Sequence, residues 1–163
     1  MKIAINGFGR IGRLVYRLMK EDDFFDVVAI NDLSSSEELA YLLRYDTNHR
    51  TYDKDITFDE EDIIVDGKKT RVYSEMDPSN LPWGELGIDL VFECTGKFTK
   101  KEDANKHILA GAKKVLISAP GKGDKKTVVY NVNDDILSSD DVIVSAGSCT
   151  TNCLAPIVKV LDD

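Results

Sequence analysis

The chain has 163 residues, a formal net charge of -8 and a pI near 4.8. This acidic balance argues against nucleic acid and against an anionic membrane surface as the main partner. No apolar run reaches the length of a membrane span, and the amino terminus lacks the apolar core and cleavage site of a signal peptide. The length fits most simply one domain with a sizeable core.

The first half of the chain alternates between strand-like and helical segments. In chain order these are a strand at 3–5, a helix at 10–19, a strand at 26–30, a helix at 36–45, a loop or irregular excursion at 49–61 and a hairpin at 62–73. The helices are predicted from apolar residues at helical spacing. The hairpin is predicted because Asp66 and Gly67 can supply the positive φ angles of a two-residue turn.

The second half continues the alternation after Pro78 and Pro82 break the chain before a short turn at Trp83. The predicted segments are a strand at 88–92, a helix capped by Thr99 and ended by Gly111, strands at 114–118, 127–131 and 141–145, and a helix at 154–161. Glu102, three residues after Thr99, would complete a capping box. The alternation predicts an α/β fold: a doubly wound, mostly parallel, Rossmann-type sheet with helices on both faces and a small β-hairpin excursion.

The last predicted helix carries no stop signal. Residues 159–163 contain no glycine and place two acids where the helix dipole disfavours negative charge. We therefore expect the chain to be a fragment or a single domain of a longer protein.

A glycine-rich turn follows the first strand and opens the first helix. Gly7 would allow the tight turn, Gly9 would let the backbone approach a pyrophosphate, and Gly12 would let helix and strand pack closely. The free amides at the helix start would receive the anion. Asp32, at the end of the second strand, is placed to accept hydrogen bonds from an adenosine ribose and would repel a 2′-phosphate. The pattern predicts an NAD site rather than an NADP site.

Two further strand ends are expected to meet the same crevice. Cys94-Thr95-Gly96 and Ser118-Ala119-Pro120 both follow predicted strands, and ligands of open α/β sheets bind at the carboxyl ends of strands. Small residues at these positions would keep the cleft open.

Cys149 lies where an apolar strand turns through small residues into the last helix. Such a turn exposes the thiol at the positive end of a helix dipole, which favours the thiolate. The placement is typical of a nucleophile. Cys153, one turn later, is predicted as a small buried residue, since a disulfide to Cys149 would be strained and no second pair of metal ligands is evident.

Motifs along the whole chain resemble those of phosphorylating glyceraldehyde-3-phosphate dehydrogenases. They are Asn6-Gly-Phe-Gly-Arg-Ile-Gly-Arg13, Ile30-Asn-Asp-Leu33, Tyr41-Leu-Leu-Arg-Tyr-Asp46, Leu81-Pro-Trp-Gly84, Glu93-Cys-Thr-Gly96 with Phe98, Ile117-Ser-Ala-Pro120 and Ser148-Cys-Thr-Thr-Asn-Cys-Leu-Ala-Pro156. The resemblance is to the N-terminal, NAD-binding part of that family. It divides the chain into an NAD-binding Rossmann domain at 1–148 and the first helix of an absent C-terminal catalytic domain at 149–163.

The resemblance implies a role for each matched position. Cys149 would attack glyceraldehyde 3-phosphate to give a thiohemiacetal and then a thioester, which inorganic phosphate cleaves to 1,3-bisphosphoglycerate in glycolysis. The other implied roles are phosphate binding by Ser148 and Thr150, pyrophosphate binding by Arg10 and Ile11, ribose binding by Asp32, contacts on the adenine side by Thr95, Gly96 and Phe98, and contacts with the nicotinamide half by Ser118 and Ala119. The complete enzyme would be a cytoplasmic homotetramer, in keeping with three cysteines that form no disulfide framework.

The sequence departs from the family pattern at a few positions. Ala146-Gly147 replaces a usual Asn-Ala, Cys94 replaces a usual serine, and His49-Arg50 stands where His-Gly is common. The family's catalytic histidine lies in its C-terminal half. His49 and His107 do not match it and are expected to be solvent-exposed, so the chain alone is expected to be inactive.

Two alternatives remain open from the sequence. One is a dehydrogenase of the same superfamily that acts on another substrate, such as erythrose 4-phosphate. The other is a natural standalone NAD-binding or thiol-redox module without catalysis of its own.

Overall fold

The structure, a computed structural model, describes residues 1–123 and 125–162. Within them, eight strands form one sheet: β1 Lys2–Asn6, β2 Asp26–Asn31, β3 Ile56–Phe58, β4 Asp62–Val65, β5 Lys68–Tyr73, β6 Leu90–Glu93, β7 Lys114–Ile117 and β8 Ile143–Ser145. The helices of these residues are α1 Arg10–Met19, α2 Ser36–Arg44, α3 Trp83–Leu86, α4 Lys101–Leu109 and α5 Cys149–Asp162. In this part of the chain no helix is long and apolar enough to cross a membrane.

The order of strands defines where a ligand can bind. The order is β3-β4-β5-β2-β1-β6-β7-β8, with β3 and β4 antiparallel and the strands from β5 to β8 parallel. The chain builds outward from β1 through β2 to the hairpin and then crosses to the other side of β1 to form β6. The direction of winding therefore changes between β1 and β6, and a crevice opens there at the carboxyl ends of the strands.

Two apolar layers cover the two faces of the sheet. In β1, Ile3 and Ile5 belong to one buried cluster and Ala4 to the other, because successive side chains of a strand point to opposite faces. The first cluster includes Tyr16 of α1 and residues of α2, and the second includes Ala104 of α4 and residues of α3. Helices therefore pack on both faces, which confirms the predicted doubly wound α/β fold.

The hairpin prediction is also confirmed. β4 and β5 pair in antiparallel fashion, and Asp66 and Gly67 between them have φ angles of 50° and 78°. The loop prediction for 49–61 is wrong in part, because Ile56–Phe58 adds a third antiparallel strand beside β4. Ile56 is buried in the core, and this burial holds the short strand in place.

Two other local predictions are wrong. Residues 127–131 form no strand, because only Thr127 bridges to Ser145 before Asn131, at a φ of 58°, turns the backbone away from β8. Helix α4 begins at Lys101 with Lys100 as its cap residue, and its cap receives no side-chain hydrogen bond. The Thr99 carbonyl instead accepts hydrogen bonds from the backbone of Lys122 and from the Lys125 ammonium, so the residue belongs to a loop–loop contact.

Helix α5 begins earlier than predicted. Its first residue is Cys149, five positions before the predicted start at 154. The Ser148 hydroxyl accepts a hydrogen bond from the Thr151 amide at 3.0 Å, so this serine caps the helix and the residues after it become helical. The division of the chain at 148/149 stays a prediction, and Asp163 lies outside the described residues.

Candidate functional site

The glycine-rich turn packs closely against the neighbouring strand end. Gly7 has a φ of +90°, and a Cβ atom added there would lie 2.7 Å from the Thr95 amide nitrogen. A Cβ atom on Gly12 would lie 2.2 Å from the Gly7 carbonyl oxygen. The tight-turn role of Gly7 and the close-packing role of Gly12 are therefore confirmed. A Cβ atom on Gly9 would have no neighbour within 4 Å, because this glycine faces open space.

Helix α1 presents uncapped amides to that space. Its cap residue is Gly9, which offers no side-chain oxygen, and its first turn contains no acidic residue. The first backbone hydrogen bond of the helix runs from the Arg13 amide to the Gly9 carbonyl. The amides of Arg10, Ile11 and Gly12 precede that bond, and such amides attract an anion. The diphosphate of a dinucleotide fits this arrangement.

A crevice of about 290 Å³ lies at the same edge of the sheet. Five residues predicted for the cofactor site line it: Gly7, Gly9, Asp32, Thr95 and Phe98. The crevice lining does not include the other predicted cofactor residues, Arg10, Ile11, Gly12, Gly96, Ser118 and Ala119.

A larger groove of about 750 Å³ lies between α2 and β3. Tyr41, Tyr45 and Phe58 contribute to its lining, together with the acidic Glu37 and Glu38. The start of α2 beside it is closed by a capping box between Ser35 and Glu38. The described lining of this groove therefore offers no anion site, in contrast to the smaller crevice beside the open start of α1.

Asp32 is held in place at the crevice by backbone amides. Its Oδ2 accepts a hydrogen bond from the Phe8 amide at 2.7 Å, and its Oδ1 accepts one from the Ser34 amide at 3.1 Å. Each carboxylate oxygen keeps a further lone pair for a ribose hydroxyl. A 2′-phosphate at the same place would meet a fixed negative charge.

Thr95 is a wall residue of the crevice. Its amide and its hydroxyl both donate to Oε1 of Glu93, the amide at 2.8 Å. These donors are therefore used inside the protein, and Thr95 shapes the wall of the crevice. Cys94, the next wall residue, is mostly enclosed, and burial raises the pKa of its thiol to about 11.

Ser118 and Ala119 follow β7, on the side of β6 away from β1. The Ser118 amide and hydroxyl both donate to the Glu93 carbonyl, at 3.0 and 3.1 Å. The Ala119 carbonyl accepts a hydrogen bond from the Ser145 hydroxyl at 2.7 Å. The strand ends of β6, β7 and β8 are thereby tied together. This side of the sheet leads directly to the turn before Cys149.

Cys149 is the first residue of α5, and its side chain is exposed, as the sequence predicts. The hydroxyls of Thr150 and Thr151 lie 2.7 and 2.8 Å from the Ser148 hydroxyl. The start of this helix therefore collects three hydroxyl groups beside a thiol. A phosphate group could accept hydrogen bonds from such a set.

Two sequence predictions about cysteine and histidine burial are wrong. Cys153 is exposed, because none of the described residues of α5 is buried. His107 is fully buried, since its ring nitrogens lie 3.0 Å from Trp83 Nε1 and 3.0 Å from Glu93 Oε2. His49 is half exposed beside Asp46, as expected.

Several residues that shape the crevice escaped the sequence prediction. Asn6, Asn31 and Glu93 are each the last residue of a strand, and all three are buried. Asn6 and Asn31 line the crevice directly. Each of three neighbouring apolar strands ends in a polar residue, and this pattern is the signal that could have predicted them.

Among residues 1–123 and 125–162, no group of three His, Cys, Asp or Glu side chains is placed to hold a metal ion.

The fold, the glycine turn and the Asp32 carboxylate beside it are together typical of a dinucleotide-binding domain of the doubly wound α/β class. Comparison with known families identifies which one. Residues 1–101 match the family described as "Glyceraldehyde 3-phosphate dehydrogenase, NAD binding domain", and the chain belongs to that family.

Curated relatives named glyceraldehyde-3-phosphate dehydrogenase align with nearly the whole chain. The relative from Clostridium pasteurianum is 54% identical over 162 residues, which are 99% of this chain and 48% of the relative. Glyceraldehyde-3-phosphate dehydrogenase 2 of Bacillus subtilis is 54% identical over 164 residues, 100% of this chain and 48% of the relative. The relative from Zymomonas mobilis is 56% identical over 164 residues, 99% of this chain and 49% of the relative. The chain thus spans about half the length of these relatives.

Proposed function

We propose that the protein containing this chain is a phosphorylating glyceraldehyde-3-phosphate dehydrogenase of glycolysis. In this proposal the chain supplies the NAD site and the nucleophile. The observation that carries the proposal is the crevice between β1 and β6. There Gly7, Gly9, the open start of α1 and the Asp32 carboxylate meet at one point of the sheet.

The cofactor would lie along the carboxyl edge of the sheet. The amides of Arg10, Ile11 and Gly12 would hold its diphosphate, and Asp32 would bind the adenosine ribose. In the same pose, Thr95, Gly96 and Phe98 would line the adenine side of the crevice. Ser118 and Ala119 would contact the nicotinamide half of the cofactor. When bound, NAD supplies the acceptor for the hydride of an aldehyde oxidation.

Cys149 would carry the covalent chemistry. Its Sγ would form a bond to the aldehyde carbon to give a thiohemiacetal, and loss of the hydride from that carbon and of the proton from its oxygen would leave a thioester. Phosphate then attacks that carbon, the C–S bond breaks, and the products are an acyl phosphate and the free thiolate. Ser148 and Thr150 would hold the phosphate of the substrate or of the attacking ion, since their hydroxyls lie at the start of α5.

The chain by itself would not turn over substrate at a useful rate. It contains two histidines. His107 is buried with both ring nitrogens engaged, and His49 contacts Asp46. Neither can act as a base at Cys149, and a general base contributes about a hundred- to ten-thousand-fold. An assay of NADH formation with glyceraldehyde 3-phosphate and phosphate is therefore expected to be flat for this chain alone.

The proposal extends to assembly and location. We expect a cytoplasmic homotetramer that binds neither nucleic acid nor membranes. The net charge of -8 argues against nucleic acid and anionic membranes as partners, and three free cysteines fit a reducing compartment; the tetramer follows from the family resemblance. Light scattering after size-exclusion chromatography measures the assembly of the complete protein. A monomer at micromolar concentration would contradict the tetramer.

Calorimetric titration with NAD and NADP tests the cofactor assignment. We expect NAD to bind at least about tenfold more tightly than NADP, because Asp32 meets a 2′-phosphate with like charge. Equal or tighter NADP binding would contradict the assignment. Absence of any NAD binding would overturn the proposed function.

A further inference from the structure

A chain of buried polar side chains runs beneath the crevice. Trp83 Nε1 lies 3.0 Å from Nδ1 of His107, and His107 Nε2 lies 3.0 Å from Oε2 of Glu93. Trp83 and His107 are fully buried, and Glu93 is 1% exposed. The set joins α3, α4 and the end of β6, and none of the roles proposed above uses it.

Hydrogen-bond donors and acceptors fix where the protons lie. An indole nitrogen can only donate, so His107 Nδ1 must accept from Trp83. The single proton of the neutral imidazole is then on Nε2, where it is donated to Glu93. The Glu93 carboxylate also receives the Asn6 side-chain amide at 2.5 Å and the amide and hydroxyl of Thr95. Four donors converge on this carboxylate and satisfy its two oxygens.

The same carboxylate reaches both sides of the crevice. On one side it fixes the backbone of Thr95, against which Gly7 packs so closely that a Cβ atom would lie 2.7 Å away. On the other side it fixes Asn6, whose Oδ1 accepts from Asn31 at 2.7 Å. Asn31 Oδ1 in turn accepts from the amide of Glu75 at 2.8 Å, and Glu75 is a lining residue of the crevice.

We propose that Glu93, His107 and Trp83 are positioning residues that hold the glycine turn and the opposing crevice wall in the geometry that binds the cofactor. The inference rests on the proposed function, because the cofactor is the NAD of that proposal. Glu93 holds Thr95, Thr95 sets the position of the Gly7 turn, and the turn directs the open amides of α1. His107 keeps the carboxylate in place, and Trp83 keeps His107 in the tautomer that can donate to it.

A matched pair of variants at His107 tests the inference. His107→Leu removes both hydrogen bonds and leaves Glu93 short of one donor. His107→Gln keeps one acceptor and one donor and can restore both bonds. Ile63→Ala is the control, because Ile63 is fully buried in the hairpin and has no part in the polar chain. The control loses stability without changing the crevice.

Calorimetric titration of the purified protein with NAD separates the two possible roles. The fitted stoichiometry reports the folded fraction, and the Kd reports the geometry of the folded site. We expect His107→Leu to raise the Kd about tenfold and His107→Gln to stay within about threefold of the wild type, which is the usual range of coupling within one network. Ile63→Ala should lower the melting temperature and leave the Kd unchanged.

Each result has a definite meaning. An unchanged Kd for His107→Leu, with a lower melting temperature, would show that the polar chain only stabilises the fold and would overturn the inference. If His107→Leu does not fold by circular dichroism, Trp83→Phe replaces it, because that change removes only the indole donor. We expect Trp83→Phe to raise the Kd about threefold, and an unchanged Kd would again overturn the inference. Failure of the wild type to bind NAD would instead refute the proposed function.

Discussion

The starts of helices α1 and α5 lie at the same edge of one sheet, yet they differ in what satisfies their amides. The cap residue of α1 is a glycine without a side-chain acceptor, and the helix is anchored by buried residues that include Tyr16 and Met19. The start of α5 is capped by the Ser148 hydroxyl, and no described residue of this helix is buried. One helix start is thus anchored by buried residues and has no side-chain cap, whereas at the other a serine hydroxyl caps the Thr151 amide beside an exposed thiol.

The difference teaches that the proposed cofactor site and the proposed nucleophile are built by separate means. The crevice depends on close backbone packing, buried polar residues and a fixed carboxylate. Cys149 depends on exposure at a turn. Cys94 can be compared with Cys149, because it lies in the crevice wall and burial raises the pKa of its thiol to about 11.

The largest expected effect is the difference in alkylation rate between Cys149 and Cys94. Burial raises the pKa of the Cys94 thiol to about 11, so at pH 8 only about one Cys94 in a thousand is a thiolate. The thiol form dominates at every pH below the raised pKa. The rate of Cys94 modification by iodoacetamide should therefore rise about tenfold per pH unit up to that value.

Cys153 serves as the control for exposure in this experiment. It is exposed like Cys149 but lies one turn later, where the influence of the helix dipole has faded. Peptide mass spectrometry across a pH series should show Cys149 modified first, then Cys153, and Cys94 last. Modification of Cys94 before the other two at pH 8 would contradict the contrast between the two regions.

The second largest expected effect is a difference in stability between alanine variants of two glycines in the same turn. Gly12→Ala places a methyl group 2.2 Å from the Gly7 carbonyl oxygen, and overpacking of this kind destabilises a protein by about 1–3 kcal/mol. Gly9→Ala has no such contact and should leave the melting temperature nearly unchanged while weakening NAD binding. Thermal unfolding and NAD titration of both variants measure the two effects. A strongly destabilised Gly9→Ala with intact affinity would show that Gly9 serves the fold.

A smaller effect is expected at Asp32. Asp32→Asn keeps the size of the side chain but removes the charge that opposes a 2′-phosphate. We expect the preference for NAD over NADP to fall by about fivefold, since a charge interaction across about 4 Å of water is worth roughly 1 kcal/mol. Titration of the variant with both cofactors measures the ratio. An unchanged ratio would remove Asp32 from cofactor selection.

Much of the crevice side could be predicted from the sequence because it depends on local patterns. Gly7, Gly12 and Asp32 fall in register with a strand, a helix and the next strand, so their positions at the same edge of the sheet follow from spacing. The buried chain of His107 and Trp83 could not be predicted in this way, because its members meet only after α3 and α4 pack on the sheet. His107 lies in the polar segment of α4, so the residues around it gave no sign of its burial.

For helix α5, the sequence predicted the exposure of one cysteine and missed the exposure of the other. The exposed thiol of Cys149 was predictable from the turn before the helix. The exposure of Cys153 was not, since its apolar neighbours Leu154 and Ile157 suggest a core but are themselves more than half exposed here. The apolar pattern of a helix indicates that one face can be buried, but it does not indicate which part of a protein packs against that face.

Hydrogen exchange measured by mass spectrometry, with and without saturating NAD, tests the central claim most directly. We expect the diphosphate to lie on the first turn of α1 and the adenosine between Asp32 and Thr95. Added NAD should therefore slow exchange in peptides covering residues 7–13 and 93–98, and leave residues 154–162 of α5 unchanged. Protection confined to α5, or to the groove between α2 and β3, would contradict the placement of the cofactor site at the β1–β6 crevice.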